Sequence, residues 1–117
     1  KLQFLVKLDV SDCSKLKSLP EEIGDLENLE ELVASGTLIS EPPSSIVRLN
    51  RLKFLSLAKL RNKGYFVFPQ VNEGLQSLEI LNLSYCNFRY RRLPGDIGCL
   101  SFLKELNLTG TNIEKLP

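Results

Sequence analysis

One pattern recurs along the whole chain at near-constant spacing: Leu-x-x-Leu-x-Leu-x-x-(Cys/Thr). It reads Leu5, Leu8, Val10, Cys13, then Leu29, Leu32, Ala34, Thr37, then Leu52, Leu55, Leu57, Leu60. It continues as Leu78, Leu81, Leu83, Cys86 and as Leu103, Leu106, Leu108, Thr111. The starts lie 24, 23, 26 and 25 residues apart. Three residues before each start stands a further leucine: Leu2, Leu26, Leu49, Leu75 and Leu100. Between the blocks a proline pair returns at Leu19-Pro20, Pro42-Pro43, Phe68-Pro69, Leu93-Pro94 and Leu116-Pro117. Ile23, Ile46 and Ile97 follow three of these by three residues, whereas the third block has Asn72 in that slot with Val71 beside it.

These spacings dictate a shape. Leu8-x-Val10 alternates with period two, so it is a short strand with its apolar face inward. Proline then ends the extended segment by withholding a backbone donor. The chain must return to the same sheet edge some two dozen residues later, and a single coil cannot cover its own leucines. Stacked coils share one continuous core. The expected fold is an α/β solenoid, a right-handed horseshoe segment. Short parallel β-strands line its concave face, and loops with short helical turns line the convex face. Residues 1–117 are expected to form one domain of about five repeats without caps, with strands near 6–11, 30–35, 53–58, 79–84 and 104–109. Leu8, Leu32, Leu55, Leu81 and Leu106 all point into the shared interior on this reading. Cys13, Thr37, Leu60, Cys86 and Thr111 form a ladder in which small polar side chains bond loop backbone groups. Cys13 and Cys86 stand three coils apart, roughly 14 Å at ~4.8 Å per strand, too far for a disulfide. Both are read as packing residues, and so is Cys99.

Composition narrows the function. The net charge of +1 argues against a dedicated nucleic-acid or anionic-membrane binder. No apolar run approaches the ~18 residues of a membrane span. The chain contains no His, which removes the commonest general base and metal ligand together. Glu21-Glu22 and Glu30-Glu31 fall on turns or strand starts, and no nucleophile-base pair or Gly-rich phosphate loop accompanies them. Neither catalysis, nor a small-molecule substrate, nor a cofactor is expected.

The residues flanking each inward pair face the concave side in three rows. The first is Lys7, Glu31, Phe54, Ile80, Glu105; the second is Asp9, Val33, Ser56, Asn82, Asn107; the third is Ser11, Ser35, Ala58, Ser84, Thr109. Phe54, Ile80 and Val33 form an apolar cluster on an otherwise polar face, which reads either as a contact site or as ordinary surface apolar residues. Tyr85, at the edge of the fourth strand, extends it. The candidate partner-binding set is Lys7, Glu31, Val33, Phe54, Ile80, Asn82, Tyr85, Glu105 and Asn107. Lys7 faces Glu31 as a surface ion pair. A second candidate is a basic rim of Arg61, Lys63, Arg89, Arg91 and Arg92, with Tyr65, Phe66, Phe68, Phe88 and Tyr90 among or beside them. That mixture suits a protein contact or phosphates, or else is a solvated rim with some aromatics filling the long third coil. Asn82-Leu83-Ser84 and Asn107-Leu108-Thr109 match the N-glycosylation pattern, but both arise from the repeat itself.

Segments such as CSKLKSLPEEIGDLENLEEL, ASGTLISEPPSSIVRL and LPGDIGCLSFLKELNLTGTNIEKLP resemble the leucine-rich-repeat region of plant intracellular immune receptors. The match is to nucleotide-binding disease-resistance proteins carrying a Toll/interleukin-1-receptor-like domain. The resemblance implies a protein-recognition module in the cytoplasm, or the nucleus, that meets a pathogen effector or the receptor's own nucleotide-binding domain. It carries over no nucleotide-binding or Toll-type motif. Uncapped coil ends are expected to invite self-association. The competing reading is a ligand-binding ectodomain of a secreted or membrane-bound receptor. Extracellular plant repeats usually show a Gly-x-Ile-Pro turn, and the Leu-Pro turn here favours the cytosol.

Overall fold

The computed structural model describes residues 4–59, 64–88 and 95–112. Five strands, β1 (Lys7–Asp9), β2 (Glu31–Val33), β3 (Phe54–Ser56), β4 (Ile80–Asn82) and β5 (Glu105–Asn107), pair in parallel in chain order. The register places Leu8, Leu32, Leu55, Leu81 and Leu106 side by side across the sheet. This is the leucine-rich-repeat solenoid that the period demanded. No helix among the described residues is long and apolar enough to cross a membrane.

The regular strands are three residues long, shorter than the six-residue segments expected. The backbone explains the difference. Inter-coil hydrogen bonds continue beyond the strands, from Val10 N–H to the Val33 carbonyl at 2.8 Å and from Ala34 N–H to the Ser56 carbonyl at 2.9 Å. The chain then leaves the extended region. Asp12, Gly36, Lys59, Tyr85 and Gly110, each four residues past an inward leucine, all have positive φ, from 53° to 73°. Even there the ladder persists: Asp12, Gly36, Lys59 and Tyr85 donate their N–H groups to Ser35, Ala58, Ser84 and Thr109.

On the convex side 3₁₀ turns occupy Glu21–Asp25, Ser44–Arg48 and Gly95–Cys99. Proline precedes the first two with extended φ and ψ, so its fixed ring sets the entry and no needed donor is lost. Ile23, Ile46 and Ile97 turn inward from these turns. Among the described residues the third coil has no such turn. Val71 takes the inward slot, Asn72 is exposed, and the backbone bends through left-handed Asn72 and Leu75.

The core runs through the stack: Leu29, Leu32, Ile39, Leu52, Leu55, Leu57, Leu78, Leu81 and Leu83 are fully buried. Leu8 and Leu106, expected to be equally enclosed, are only partly covered. Each coil is sealed by its neighbours, and these two stand in the outermost described coils. An open apolar groove of about 320 Å³ remains beside the first coil, lined mainly by Leu8, Val10, Leu16, Leu19, Ile23 and Leu26.

The ladder forms at Thr37, Cys86 and Thr111, the last two bonding to the preceding coil. Thr37 is buried, donates to the Ala34 carbonyl at 3.1 Å and accepts from Ile39 N–H at 3.4 Å. Cys86 donates to the Leu57 carbonyl at 3.1 Å, and Thr111 to the Leu83 carbonyl at 2.8 Å. Two expectations need correction. Cys13 is exposed because it stands in the outermost described coil, and Cys99 is exposed because it ends a 3₁₀ turn whose inward residue is Ile97, with the buried Leu100 following it. Leu60 lies outside the described residues.

Candidate recognition surface

Two of the rows read from the sequence are in register across the sheet. Lys7, Glu31, Phe54, Ile80 and Glu105 are consecutive partners across the sheet, and so are Asp9, Val33, Ser56, Asn82 and Asn107. Phe54 lies directly beside Ile80, and Val33 sits diagonally from Phe54, all three partly exposed. Side chains paired across adjacent strands approach within ~5 Å, so Phe54 and Ile80 adjoin, and Val33 stands on the diagonal at ~7–8 Å.

The floor beside that patch is quieter than expected. Ser56, Ala58 and Ser84 are buried, so they present little to a visitor. Ser35 and Ser56 share a hydroxyl hydrogen bond of 2.7 Å that ties the second coil to the third. At the far edge Tyr85 is exposed, with its ring beneath the Lys59 ammonium, 5.7 Å from the centroid.

The polar members of the rows are largely occupied in shaping the backbone. Asn82 accepts the Ser84 N–H at 3.0 Å, and Asn107 accepts the Thr109 N–H at 3.0 Å. Asp9 does the same for Ser11 at 2.9 Å. These side-chain turns hold the chain as it leaves each strand. The Ser11 backbone N–H, and then its hydroxyl, favour the charged carboxylate of Asp9 and hold its pKa below the ordinary value; Lys7 adds a little. Two cross-coil ion pairs flank the patch, Lys7–Glu31 at 3.9 Å and Lys104–Glu79 at 3.5 Å. Both are solvated and of small value, ~0–1 kcal/mol. Glu105 is exposed at the last described strand.

The basic rim divides differently. Arg61, Lys63, Arg89, Arg91 and Arg92, with Tyr90, lie outside the described residues. Of the aromatics assigned beside them, Phe66, Phe68 and Phe88 are buried. Phe66 and Phe88 meet edge to face at 5.7 Å and form a parallel bridge between the third and fourth coils. The Asn112 side chain clamps Phe88, accepting its N–H at 2.7 Å and donating to its carbonyl at 2.8 Å. These rings fill the space opened by the long third coil, and Tyr65 alone of the described four stands exposed.

Sequence reasoning missed the left-handed column and its Lys59–Tyr85 pair. The available signal was Gly36 and Gly110, which occupy one repeat position. It also missed a charge asymmetry: the stretch from Pro42 to Asn72 contains six basic residues and no acid. Arg48 pairs with Asp25 at 3.6 Å and Arg51 donates to Asn28 at 2.5 Å.

A Leucine Rich Repeat family model matches residues 4–26 and 77–100. TMV resistance protein N of Nicotiana glutinosa is 57% identical over the whole chain, and the Disease resistance-like protein DSC1 of Arabidopsis thaliana is 38% identical, also over the whole chain. The chain spans about a tenth of the length of these curated relatives. Among solved structures, a plant peptide hormone receptor, RGFR1, in complex with RGF2, superposes with a TM-score of 0.75 at 28% identity. That match covers 93% of this chain and 17% of the receptor.

Proposed function

Starting from the fact that this chain is a run of leucine-rich repeats similar along its whole length to plant disease-resistance proteins, we propose that it is a protein-recognition module in plant defence. Its concave face meets a pathogen effector, the nucleotide-binding domain of its own polypeptide, or both in turn. The observation that carries this reading is the adjoining pair Phe54 and Ile80, with Val33 diagonal to Phe54, on strands whose other outward positions are polar. Exposed apolar residues that adjoin across strands in this way are the usual core of a protein contact. Lys7, Glu31, Asn82, Tyr85, Glu105 and Asn107 frame it, and a polar frame around an apolar centre keeps water from the contact.

The module acts by binding, and its place of action is the cytoplasm or nucleus. The Leu19-Pro20 type of turn supports that compartment, and the side-chain turns of Asn82 and Asn107 support it further, because both glycosylation-like asparagines already serve the backbone.

The test replaces Phe54 and Ile80 together by Asp in the complete polypeptide. Both side chains face outward, so the fold is expected to persist by circular dichroism. Partner binding and control of the defence response are expected to fail. Unchanged binding and unchanged control in the folded double variant would overturn the proposal.

A further inference from the structure

The column of Asp12, Gly36, Lys59, Tyr85 and Gly110 is left-handed in every coil. Glycine suits that backbone without strain, and Gly36 and Gly110 show that the array accepts it. Lys59 and Tyr85 nevertheless place long, exposed side chains there, on adjacent coils and in mutual contact. The ring of Tyr85 lies directly over Gly110, where a Cβ would come within 2.3 Å of Tyr85 Cδ1 and Cε1. The ring is therefore shelved between bare glycine backbone on one side and a cation on the other. This pair closes one end of the concave floor of the third and fourth coils. Phe54 and Ile80 stand at the opposite end, with the buried small residues Ser56, Ala58 and Ser84 between.

Charge selects the chemistry of what binds there. No acid occurs from Pro42 to Asn72, and two of the cations in that stretch, Arg48 and Arg51, are engaged with Asp25 and Asn28. Among the described residues the Lys59 ammonium has only the Tyr85 ring as a partner. An ammonium supplies three donors and a phenol a fourth, and hydrogen bonds from a cation to a carboxylate are the strong ones.

We infer that Lys59 and Tyr85 are a specificity-determining pair that takes a carboxylate of the partner protein while an apolar side chain of the same partner segment rests on Phe54 and Ile80. The inference rests on the concave-face reading above and adds the partner's chemistry to it. Phe54 and Lys59 are five residues apart, at most roughly 16 Å at ~3.3 Å per residue, because the strand ends at Ser56 and the backbone turns left-handed at Lys59. An extended partner segment therefore carries its Asp or Glu no more than about five residues from its apolar anchor.

The test pans a random 12-residue peptide display library against the 117-residue chain. Recovered binders are expected to pair an apolar residue with an Asp or Glu within five positions of it, and to lose tenfold or more in affinity for Lys59→Ala and for Tyr85→Gly. Lys59→Arg is expected to retain binding. Tyr85→Gly is expected to melt at or above the temperature of the parent chain, because it removes a left-handed side chain, so its loss of binding is not a loss of fold. Binders that depend on Phe54 and Ile80 but ignore both Lys59 and Tyr85 would overturn this inference and leave the concave-face proposal standing. Binders that ignore all four residues, or a library that yields none, would count against both.

Discussion

The inner and outer coils carry the same sequence pattern and differ in what it does. Leu32, Leu55 and Leu81 are wholly enclosed, while Leu8 and Leu106, in identical register, are only partly covered. Thr37 and Cys86 are buried and bonded, whereas Cys13 on the same ladder is exposed. The repeat specifies which way a side chain points. How much that direction stabilises is decided by the coil stacked next to it, as expected of an array held together by nearest-neighbour contacts.

The largest test of that difference removes the central leucine coil by coil. Leu55→Ala and Leu81→Ala are expected to destabilise the chain by about 3–5 kcal/mol, the range for a fully buried leucine that leaves a cavity. Leu8→Ala and Leu106→Ala, only partly covered in the 117-residue chain, should lose about 1–2 kcal/mol by the same reasoning. Urea unfolding of the four variants measures both, and equal losses would break the comparison.

A smaller effect belongs to the convex side. Gly24 and Gly98 occupy one repeat position, each following the inward isoleucine of its turn. A Cβ on Gly24 would lie 2.6 Å from the Ser45 Cβ and 2.7 Å from the Ser45 carbonyl oxygen, while one on Gly98 meets nothing within 4 Å among the described residues. Gly24→Ala should therefore cost about 1–3 kcal/mol as overpacking, and Gly98→Ala should stay within about 0.5 kcal/mol. The thermal midpoints of the two variants decide it.

The smallest effect is in titration. Asp9, Asn82 and Asn107 build the same turn, but only Asp9 carries a charge. Its pKa is lowered in the fold by the Ser11 N–H and hydroxyl. A lowered carboxylate stabilises the fold above its ordinary pKa, and that contribution fades as pH falls through the lowered value. Asp9→Asn keeps the turn with a neutral amide. It is expected to flatten the fall of melting temperature below about pH 4, and to leave the temperature at pH 7 nearly unchanged. An unaltered acid limb would remove Asp9 from the account.

Much of this was legible before any coordinates. The leucine period fixed the strand register to the residue, because a one-residue slip would turn every core side chain to solvent. It also placed Phe54 beside Ile80. What stayed hidden depends on context that a repeat motif does not encode. Phe66 and Phe88 stand close to arginines in the sequence, yet they are buried, because the long third coil leaves a volume that only rings fill. Cys13 and Cys99 match buried positions by pattern but lack the covering neighbour or the inward turn position. The left-handed column was visible only at Gly36 and Gly110. Lys59 and Tyr85 concealed it, since neither residue type advertises an unusual backbone.

That column has an adaptive consequence. The bend recurs in each coil whatever residue occupies it, so the fold does not prescribe the occupant. An exchange there changes which group projects, but it has to fit the neighbouring coil, since a Cβ on Gly36 would meet Asp12 Oδ1 and one on Gly110 the Tyr85 ring. Diversity in what the array discriminates can thus accumulate one coil at a time. Its ceiling is set by how many awkward backbone placements the stack tolerates at once.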